Sequence, residues 1–249
     1  MSAVQDGPSS ALSHQSSTAM PPPIELTLVV AATRQMGIGK AGTLPWTGLR
    51  KEMAYFARVT KRVPASSDPS TKTQNVLIMG RKTWDSIPPN FRPLKDRLNI
   101  VISRSHPDHH HHHDADSDDA SETTAASVVK LSSLDAVLRY LQARQATTSF
   151  SSPAAVKEGQ SGIQMGKVFV IGGGEIYAAA LRLKEARRVL LTSVQNDFEC
   201  DTFFPQISEE TGWEKQSKEA LDAWTGEDVP GGEQEENGTR YEFQMWERK

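Results

Sequence analysis

The chain has 249 residues, a hydrophobic fraction of 37% and a formal net charge of -3 at pH 7. Because positive charge is not in excess, the composition gives no support for a nucleic acid or an anionic membrane as partner, and no apolar run is long enough to span a bilayer. A single cysteine, Cys200, excludes an intrachain disulfide and a thiolate metal cluster.

The first 23 residues are rich in Ser, Ala and Pro and contain neither Lys nor Arg. A secretory signal would need an apolar core, and a mitochondrial transit peptide would need arginines. We therefore expect a disordered tail over residues 1–23, followed by one cytoplasmic domain over residues 24–249.

The first half of this domain alternates short apolar runs with helical patterns. Residues 26–32 predict a strand buried on both faces, followed by a glycine-rich loop over 34–46. A helix is expected over 49–60, where Leu49, Met53 and Phe56 recur at helical spacing and would form an apolar wall. Two more strands, at 75–79 and 98–102, flank a short helix at 82–86.

The second half continues the alternation, with helices predicted at 133–143 and 175–183 and strands at 168–171 and 189–194. The last segment, 241–247, alternates apolar and polar residues, as a half-buried strand at an edge would. Three polar segments, 64–73, 106–127 and 147–166, are predicted to be insertions. The pattern indicates a three-layer α/β fold on a mostly parallel central sheet, with an antiparallel C-terminal edge strand.

Two glycine patterns are candidates for phosphate binding. Gly37, Gly39 and Gly42 match G-x-G-x-x-G after a strand, but Pro45 follows and no helix begins there. This pattern therefore predicts a loop that bends over a ligand and not a dinucleotide fingerprint. Residues 172–174, three glycines between a strand and a helix, are the better candidate, because a helix start offers free N–H donors. A tight turn without a ligand is the alternative.

Several short motifs follow one another in a fixed order along residues 24–249. They are Met36–Lys40, Leu44–Trp46, Leu49–Glu52 with Tyr55 and Phe56, Met79–Trp84, Ser86–Pro88, Arg92–Leu94 with Arg97, Ile171–Tyr177 and Asp201–Pro205. This ordered set resembles the motifs of dihydrofolate reductases. The polar insertions resemble enlargements of eukaryotic, fungal members that carry this activity alone. The resemblance implies a dihydrofolate reductase-like fold and the NADPH-dependent reduction of 7,8-dihydrofolate, with a hydride added to C6 and a proton to N5, for one-carbon metabolism. Antifolates would then be inhibitors.

The resemblance makes Glu52 the carboxylate of the substrate pocket, where burial should raise its pKa. Glu52 would hold the 2-amino and N3 side of the pterin and assist protonation of N5 through a water. Trp46 and Leu44 would close a loop over the reacting rings, and Thr192 would hydrogen-bond to Glu52. Without the resemblance, Glu52 is typical of a solvated helix surface and Thr192 of a core threonine bonded to its own backbone.

Arg97 would pair bidentately with the α-carboxylate of the substrate's glutamate tail. Without the resemblance, it is an ordinary surface cation. Phe56 would stack on the pterin. The other substrate contacts that the resemblance implies are Val30, Met53, Ile87, Leu94, Ile171 and Tyr177.

For the cofactor, Arg81, Lys82 and Thr83 begin a short helix directly after a strand, and Ser103 and Arg104 end the next strand. Two arginines there favour the 2′-phosphate of NADPH over NADH. The resemblance also implies a cis peptide bond between Gly172 and Gly173. The remaining implied cofactor contacts are Ala31, Ile38, Gly42, Gly80, Ile171, Gly174, Glu175, Ile176 and Tyr177.

The run His109–His113 is bracketed by acidic residues, but metal sites use spaced ligands on a rigid frame, so we expect a solvated insertion and no metal. Two alternatives remain. A reductase of the riboflavin pathway shares the fold and cofactor, but it would lack the Glu52 helix and the Leu44–Trp46 motif. A catalytically silent NADPH- or folate-binding protein would show cofactor binding without turnover. We expect a monomer.

Overall fold

The structure, a computed structural model, describes residues 22–63, 72–106, 128–150 and 163–249. The predictions for most of the N-terminal tail, for the His tract and for the middle of each polar segment lie outside these residues. Among the described residues, no helix is long and apolar enough to cross a membrane.

Strands and helices alternate along the described chain. The helices are α1 (Arg50–Lys61), α2 (Arg81–Ser86), α3 (Leu134–Phe150), α4 (Gly174–Leu181) and α5 (Lys218–Thr225). The strands are β1 (Leu26–Thr33), β2 (Gly37–Gly39), β3 (Lys72–Gly80), β4 (Arg97–Ile102), β5 (Val128–Leu131), β6 (Ile163–Val170), β7 (Ala186–Val194), β8 (Thr202–Phe203), β9 (Trp213–Lys215), β10 (Glu233–Glu236) and β11 (Thr239–Arg248).

Nine of the described strands form one sheet in the order β10-β11-β7-β1-β6-β3-β4-β5, with β9 also paired to β11. The strands from β7 to β5 in this order are parallel. β11 is antiparallel to β7, and the short strands β10 and β9 each cover part of its outer side. The predicted mostly parallel sheet with antiparallel structure at its C-terminal edge is confirmed.

Helices cover both faces of the sheet, which gives the three predicted layers. Val137 and Leu141 of α3 and Ala180 of α4 belong to one buried cluster. Val59 of α1 and Leu221 of α5 belong to the other. Each such side chain stabilises the fold by roughly 1 to 3 kcal/mol, because its apolar surface is removed from water.

The pairing of two neighbouring parallel strands, β1 and β6, stops before β1 ends. β1 pairs with β6 only from Leu26 to Leu28, whereas its pairing with β7 continues to Thr33. At the point of parting, the hydroxyl of Tyr177 donates a hydrogen bond of 2.6 Å to the carbonyl oxygen of Val29. A cleft between β1 and β6 thus opens toward the carboxyl ends of the strands, where α/β sheets bind their ligands.

Several predicted boundaries need correction. β3 begins at Lys72 and β6 at Ile163, and these two residues are register partners. α3 continues to Phe150, beyond the predicted residue 143. The predicted insertions 64–73 and 147–166 therefore end inside regular structure. β2, β5, β8, β9, β10 and α5 were not predicted, and β2 lies within the predicted loop 34–46.

Candidate functional site

The carboxyl ends of the parallel strands bring most of the predicted site residues to one rim. Ala31 on β1 lies beside Thr192 on β7. The backbone N–H of Gly80 donates to the carbonyl oxygen of Gly172 at 2.7 Å, and Gly80 is the register partner of Ile102 on β4. The start of α2, the glycine turn and the residues after β4 are consequently neighbours.

Glu52 lies at the third position of α1 and points into the protein, where only 7% of the residue is exposed. The hydroxyl of Thr192 donates to its Oε1 atom at 3.3 Å. The pKa of Glu52 is raised to about 7. Burial is the largest cause of this rise, the hydrogen bond from Thr192 opposes it, and the charge of Glu236 adds to it. The predicted raised pKa and the Thr192 contact are confirmed, and the alternatives of a solvated Glu52 and a self-bonded Thr192 are wrong.

Trp46 is buried, with its ring edge-on to Phe198 at a centroid distance of 5.6 Å. Its indole Nε1 has no hydrogen-bond partner among the residues that the structure describes. Buried donors are normally paired, so this N–H is available to a ligand or a water in the cleft. Leu44 and Met53 are about half exposed, at 49% and 51%. Leu49 is buried and Phe56 half-buried, and the part of Met53 in an apolar wall around the substrate remains a prediction.

Arg97 is almost completely buried at the start of β4, so the surface-cation alternative is wrong. Its Nε donates to the carbonyl of Lys95 at 2.9 Å and its Nη1 to the hydroxyl of Thr60 at 2.7 Å. In the described residues, no carboxylate lies within ion-pair distance of it. Burial lowers the pKa of Arg97 to about 10, which leaves it cationic at neutral pH. A buried, charged and unpaired guanidinium is suited to binding an anion.

Thr60 is a contributor that the sequence did not indicate. Its hydroxyl donates to the carbonyl of Phe56 at 2.7 Å, so an oxygen lone pair is left to accept from Arg97. A threonine near the end of a helix has many unrelated roles, and no local pattern singles this one out.

Apolar side chains surround the parting of β1 and β6. Val30 is buried in the core cluster that α3 and α4 cover, whereas the neighbours of Glu52 on α1 belong to the other cluster. The partly buried residues that pack against the α1 side include five of the predicted contacts, namely Ala31, Phe56, Ile87, Leu94 and Ile171. The contacts of these residues with substrate and cofactor remain predictions.

The turn between β6 and α4 has the cis peptide bond implied between Gly172 and Gly173. Gly172 has a φ of 111°, and a Cβ atom there would lie 3.0 Å from the ring of Tyr177. Within the described part of the chain no side chain caps α4 at Gly173, so the first N–H groups of this helix can donate to a ligand. Tyr177 is buried with its hydroxyl bound to Val29, so it shapes the turn, while Glu175 is exposed and Ile176 half-buried.

Positive charge lies beside this turn. Arg81 and Lys82 are exposed, and Arg81 pairs with Asp85 at 3.2 Å. Arg104 is also exposed, and neither it nor Lys82 has an ion pair within the described ranges. The hydroxyl of Thr83 is 3.3 Å from the position of a Cβ on Gly173. Ser103 shares a hydrogen bond with Ser105 at 2.9 Å.

The first glycine pattern forms no helix start, as expected. Gly37 and Gly39 are in β2, which pairs with β8, and α1 begins only at Arg50. Gly42 has a φ of 78°, and no atom of the described residues lies within 4 Å of where its Cβ would be. Ile38 packs on the core. Among the described residues, no group of three or more His, Cys, Asp or Glu side chains could hold a metal.

A mostly parallel sheet with a parted strand pair, an uncapped glycine turn and a buried carboxyl defines a class of α/β enzymes. Members of this class bind a nucleotide and a small substrate in one cleft. The buried carboxyl has a pKa near neutrality, as an acid–base group requires.

Comparison with known proteins gives the particular family. The family model described as "Dihydrofolate reductase" matches residues 25–134 and 137–248. The chain is 37% identical to a dihydrofolate reductase of Pneumocystis carinii over 227 residues, which covers 90% of this chain and 96% of the relative. It is 35% identical to that of Mus musculus over 224 residues, covering 90% and 97%.

A solved structure of Schistosoma mansoni dihydrofolate reductase matches with a TM-score of 0.62 at 30% identity, covering 92% of this chain and 100% of that one. The chain belongs to the dihydrofolate reductase family and is an oxidoreductase. The resemblance found in the sequence is confirmed, and the Pneumocystis match agrees with its fungal character. The riboflavin-type alternative is set aside, because the Glu52 helix and the Leu44–Trp46 motif are both present.

Proposed function

We propose that this chain reduces 7,8-dihydrofolate to 5,6,7,8-tetrahydrofolate with NADPH, as a cytoplasmic monomer that serves one-carbon metabolism. The observation that carries the proposal is Glu52, a buried carboxyl with a pKa of about 7 in the cleft of a dihydrofolate reductase-family chain. Such a group can both accept hydrogen bonds from a pterin and exchange a proton at neutral pH.

Glu52 and Thr192 orient the pterin. The carboxylate offers two acceptor oxygens, which suit the two donors of the 2-amino and N3 side of the ring. The hydroxyl of Thr192 fixes one of these oxygens by its 3.3 Å bond. Trp46, whose Nε1–H lacks a partner, would hold the water through which a proton passes from the Glu52 side to N5.

Arg97 supports a substrate that ends in a carboxylate. Its guanidinium is held by Thr60 and by the backbone, and neither partner neutralises its charge. A glutamate tail would supply the missing anion. Phe56, Ile87 and Leu94, which are half-buried beside the cleft, would contact the flat apolar parts of the same substrate.

The residues around the glycine turn fit a phosphorylated dinucleotide. Gly172, Gly173 and Gly174 allow close approach and leave α4 amides free, and Thr83 lies beside Gly173. Lys82 and Arg104 supply cations without carboxylate partners in the described chain, which supports the 2′-phosphate of NADPH. When bound, NADPH supplies the hydride that C6 receives.

The test follows the loss of absorbance at 340 nm when purified protein, NADPH and dihydrofolate are mixed, with Glu52→Gln alongside. We expect consumption that needs both ligands, exceeds that with NADH roughly tenfold in kcat/KM, and falls at least a hundredfold in the variant. Glu235→Gln, a change at an exposed carboxylate outside the cleft, is the matched control. A wild type that binds NADPH but leaves dihydrofolate unchanged would refute the proposal in favour of a silent binding protein.

A further inference from the structure

The start of α1, the helix that carries Glu52, has no side-chain cap of its own. Leu49 occupies the capping position and makes no side-chain hydrogen bond. An acid at the third position of a helix ordinarily turns back to the free N–H groups, and the helix dipole then lowers its pKa. Glu52 instead faces Thr192 on β7. The free N–H groups at this helix start therefore need another acceptor.

That acceptor is Glu236, from the end of β10. Its Oε2 and Oε1 atoms accept from the backbone N–H of Lys51 at 2.9 and 3.0 Å, and Oε1 is 3.4 Å from the N–H of Glu52. The hydroxyl of Tyr241 donates to Oε1 at 2.5 Å. One residue further along, the side-chain amide of Asn237 donates to the carbonyl of Gly48 at 2.7 Å.

We propose that Glu236 is a positioning residue for the proton transfer: it caps α1 from the β10–β11 hairpin and so keeps the Glu52 carboxyl turned toward Thr192 and the substrate. The inference rests on the proposed function for its catalytic meaning. Two consequences follow from the geometry. The amides that would otherwise stabilise an ionised Glu52 are occupied, and a second negative charge lies nearby to oppose that ionisation.

Within the described residues, Glu52 also interacts electrostatically with Tyr177 of α4, Tyr241 of β11 and Tyr55 of α1. Burial raises the pKa of each of these tyrosines above its ordinary value, so all three are neutral near pH 7. Glu236 differs. Partial burial would raise its pKa, but the hydrogen bonds from Tyr241 and the α1 amides, with the charge of Lys51, hold it below the ordinary value. Glu236 is thus a fixed negative charge over the range in which Glu52 titrates.

Three variants distinguish the effect of capping α1 from the effect of the negative charge near Glu52. Glu236→Gln keeps an oxygen that can accept from Lys51 N–H but removes the charge. Glu236→Ala removes both. Glu235→Gln is the matched control, because it deletes the same charge one residue away on an exposed side chain of the same strand.

The first readout is the dependence of kcat on pH. We expect Glu236→Gln to match the wild type near pH 5.5 and to lose roughly fivefold at pH 8, because Glu52 gives up its proton at lower pH. Glu236→Ala should lose more at pH 8. Glu235→Gln should stay within about twofold throughout. A uniform loss at all pH values in Glu236→Gln would mean a merely structural role and would overturn the inference.

The second readout needs no turnover. Protein labelled with ¹³C at glutamate carboxyls is titrated by NMR, and the Glu52 signal is identified by its loss in Glu52→Gln. We expect a lower titration midpoint in Glu236→Gln than in the wild type and an unchanged one in Glu235→Gln. Equal midpoints in wild type and Glu236→Gln would refute the inference. If the midpoint moves as expected while the wild type fails to reduce dihydrofolate, the proposed function alone has failed. Glu236→Gln, which keeps the capping acceptor, carries both readouts if Glu236→Ala does not fold.

Discussion

Replacing Glu52 with glutamine is expected to stabilise the protein at high pH while abolishing its activity. Burial raises the pKa of this carboxyl from 4.5 to about 7 in the folded protein. In the unfolded chain the carboxyl meets water and loses its proton near pH 4.5. Between these two values the folded state binds more protons than the unfolded state, so the free energy of unfolding falls as pH rises through this window. Below pH 4.5 both states are protonated and the effect vanishes.

The size of the effect follows from the two pKa values. Each tenfold difference in proton affinity between the states is worth about 1.4 kcal/mol, so a pKa of about 7 against 4.5 costs roughly 3 kcal/mol of stability above pH 7. A glutamine has the same shape, cannot ionise, and keeps an oxygen for the hydroxyl of Thr192. The variant therefore does not lose this stability, and above pH 7 it should be more stable than the wild type by roughly 3 kcal/mol.

Urea unfolding of both proteins at intervals from pH 5 to 9 measures this difference. The free energy of unfolding of Glu52→Gln minus that of the wild type should grow from a small value at pH 5 to roughly 3 kcal/mol at pH 8 and above. Glu235→Gln, at an exposed site, should give a small and nearly constant difference. A Glu52→Gln difference that stays flat, or shrinks as pH rises, would show that the folded carboxyl does not hold its proton and would refute the reasoning.

Three further predictions concern other residues of the proposed site. Thr192→Val removes the hydrogen bond that lowers the pKa of Glu52, so the fall of kcat with pH should move to higher pH, and a move to lower pH would contradict this role. Arg97→Leu should raise KM for dihydrofolate about tenfold or more with little change in kcat, while the Kd of a pteridine without a glutamate tail stays the same; equal weakening of both ligands would argue against a tail contact. Gly172→Ala should weaken NADPH binding and lower the free energy of unfolding by roughly 2 kcal/mol or more, because φ is 111° and Tyr177 blocks the new Cβ. Gly212→Ala, also at positive φ but with no atom of the described residues within 4 Å of the new Cβ, is its control and should cost only about 1 kcal/mol.

Sequence patterns located β4 and the second halves of β3 and β6, because these are short apolar runs buried on both faces, and missed the first halves of β3 and β6. These patterns failed where a segment is a strand because it pairs with a neighbouring strand and not because of its composition. β10 reads Glu-Gln-Glu-Glu, without any apolar alternation, and it is a strand because β11 lies beside it. The dipeptide Asn237–Gly238, with φ values of 49° and 72°, is a two-residue hairpin signal that would have located it.

The apolar face of α1 shows why the site was harder to predict than the fold. The buried positions that repeat at helical spacing are Leu49, Glu52, Tyr55 and Val59, and Thr60 is buried beside the last of them. Because a glutamate occupies one of these positions, the buried face cannot be recognised from apolar residues alone, and their spacing pointed to Met53 instead. Thr192 is 140 residues from Glu52 in the chain, so only the family resemblance linked the two. Neither the spacing of apolar residues nor the family resemblance pointed to Glu236.

Two connections at the opposite rim of the sheet differ in how close they come to the site. α1 and α3 both end there, and the strands that follow, β3 at Lys72 and β6 at Ile163, start side by side. The first connection begins just after Thr60, which holds the buried guanidinium of Arg97. The second joins α3 to the amino end of β6, whereas Glu52, the glycine turn and the cations serve the carboxyl ends. A reporter domain or affinity tag is therefore better spliced between residues 150 and 163 than between 63 and 72, because only the second connection avoids the residues that hold Arg97.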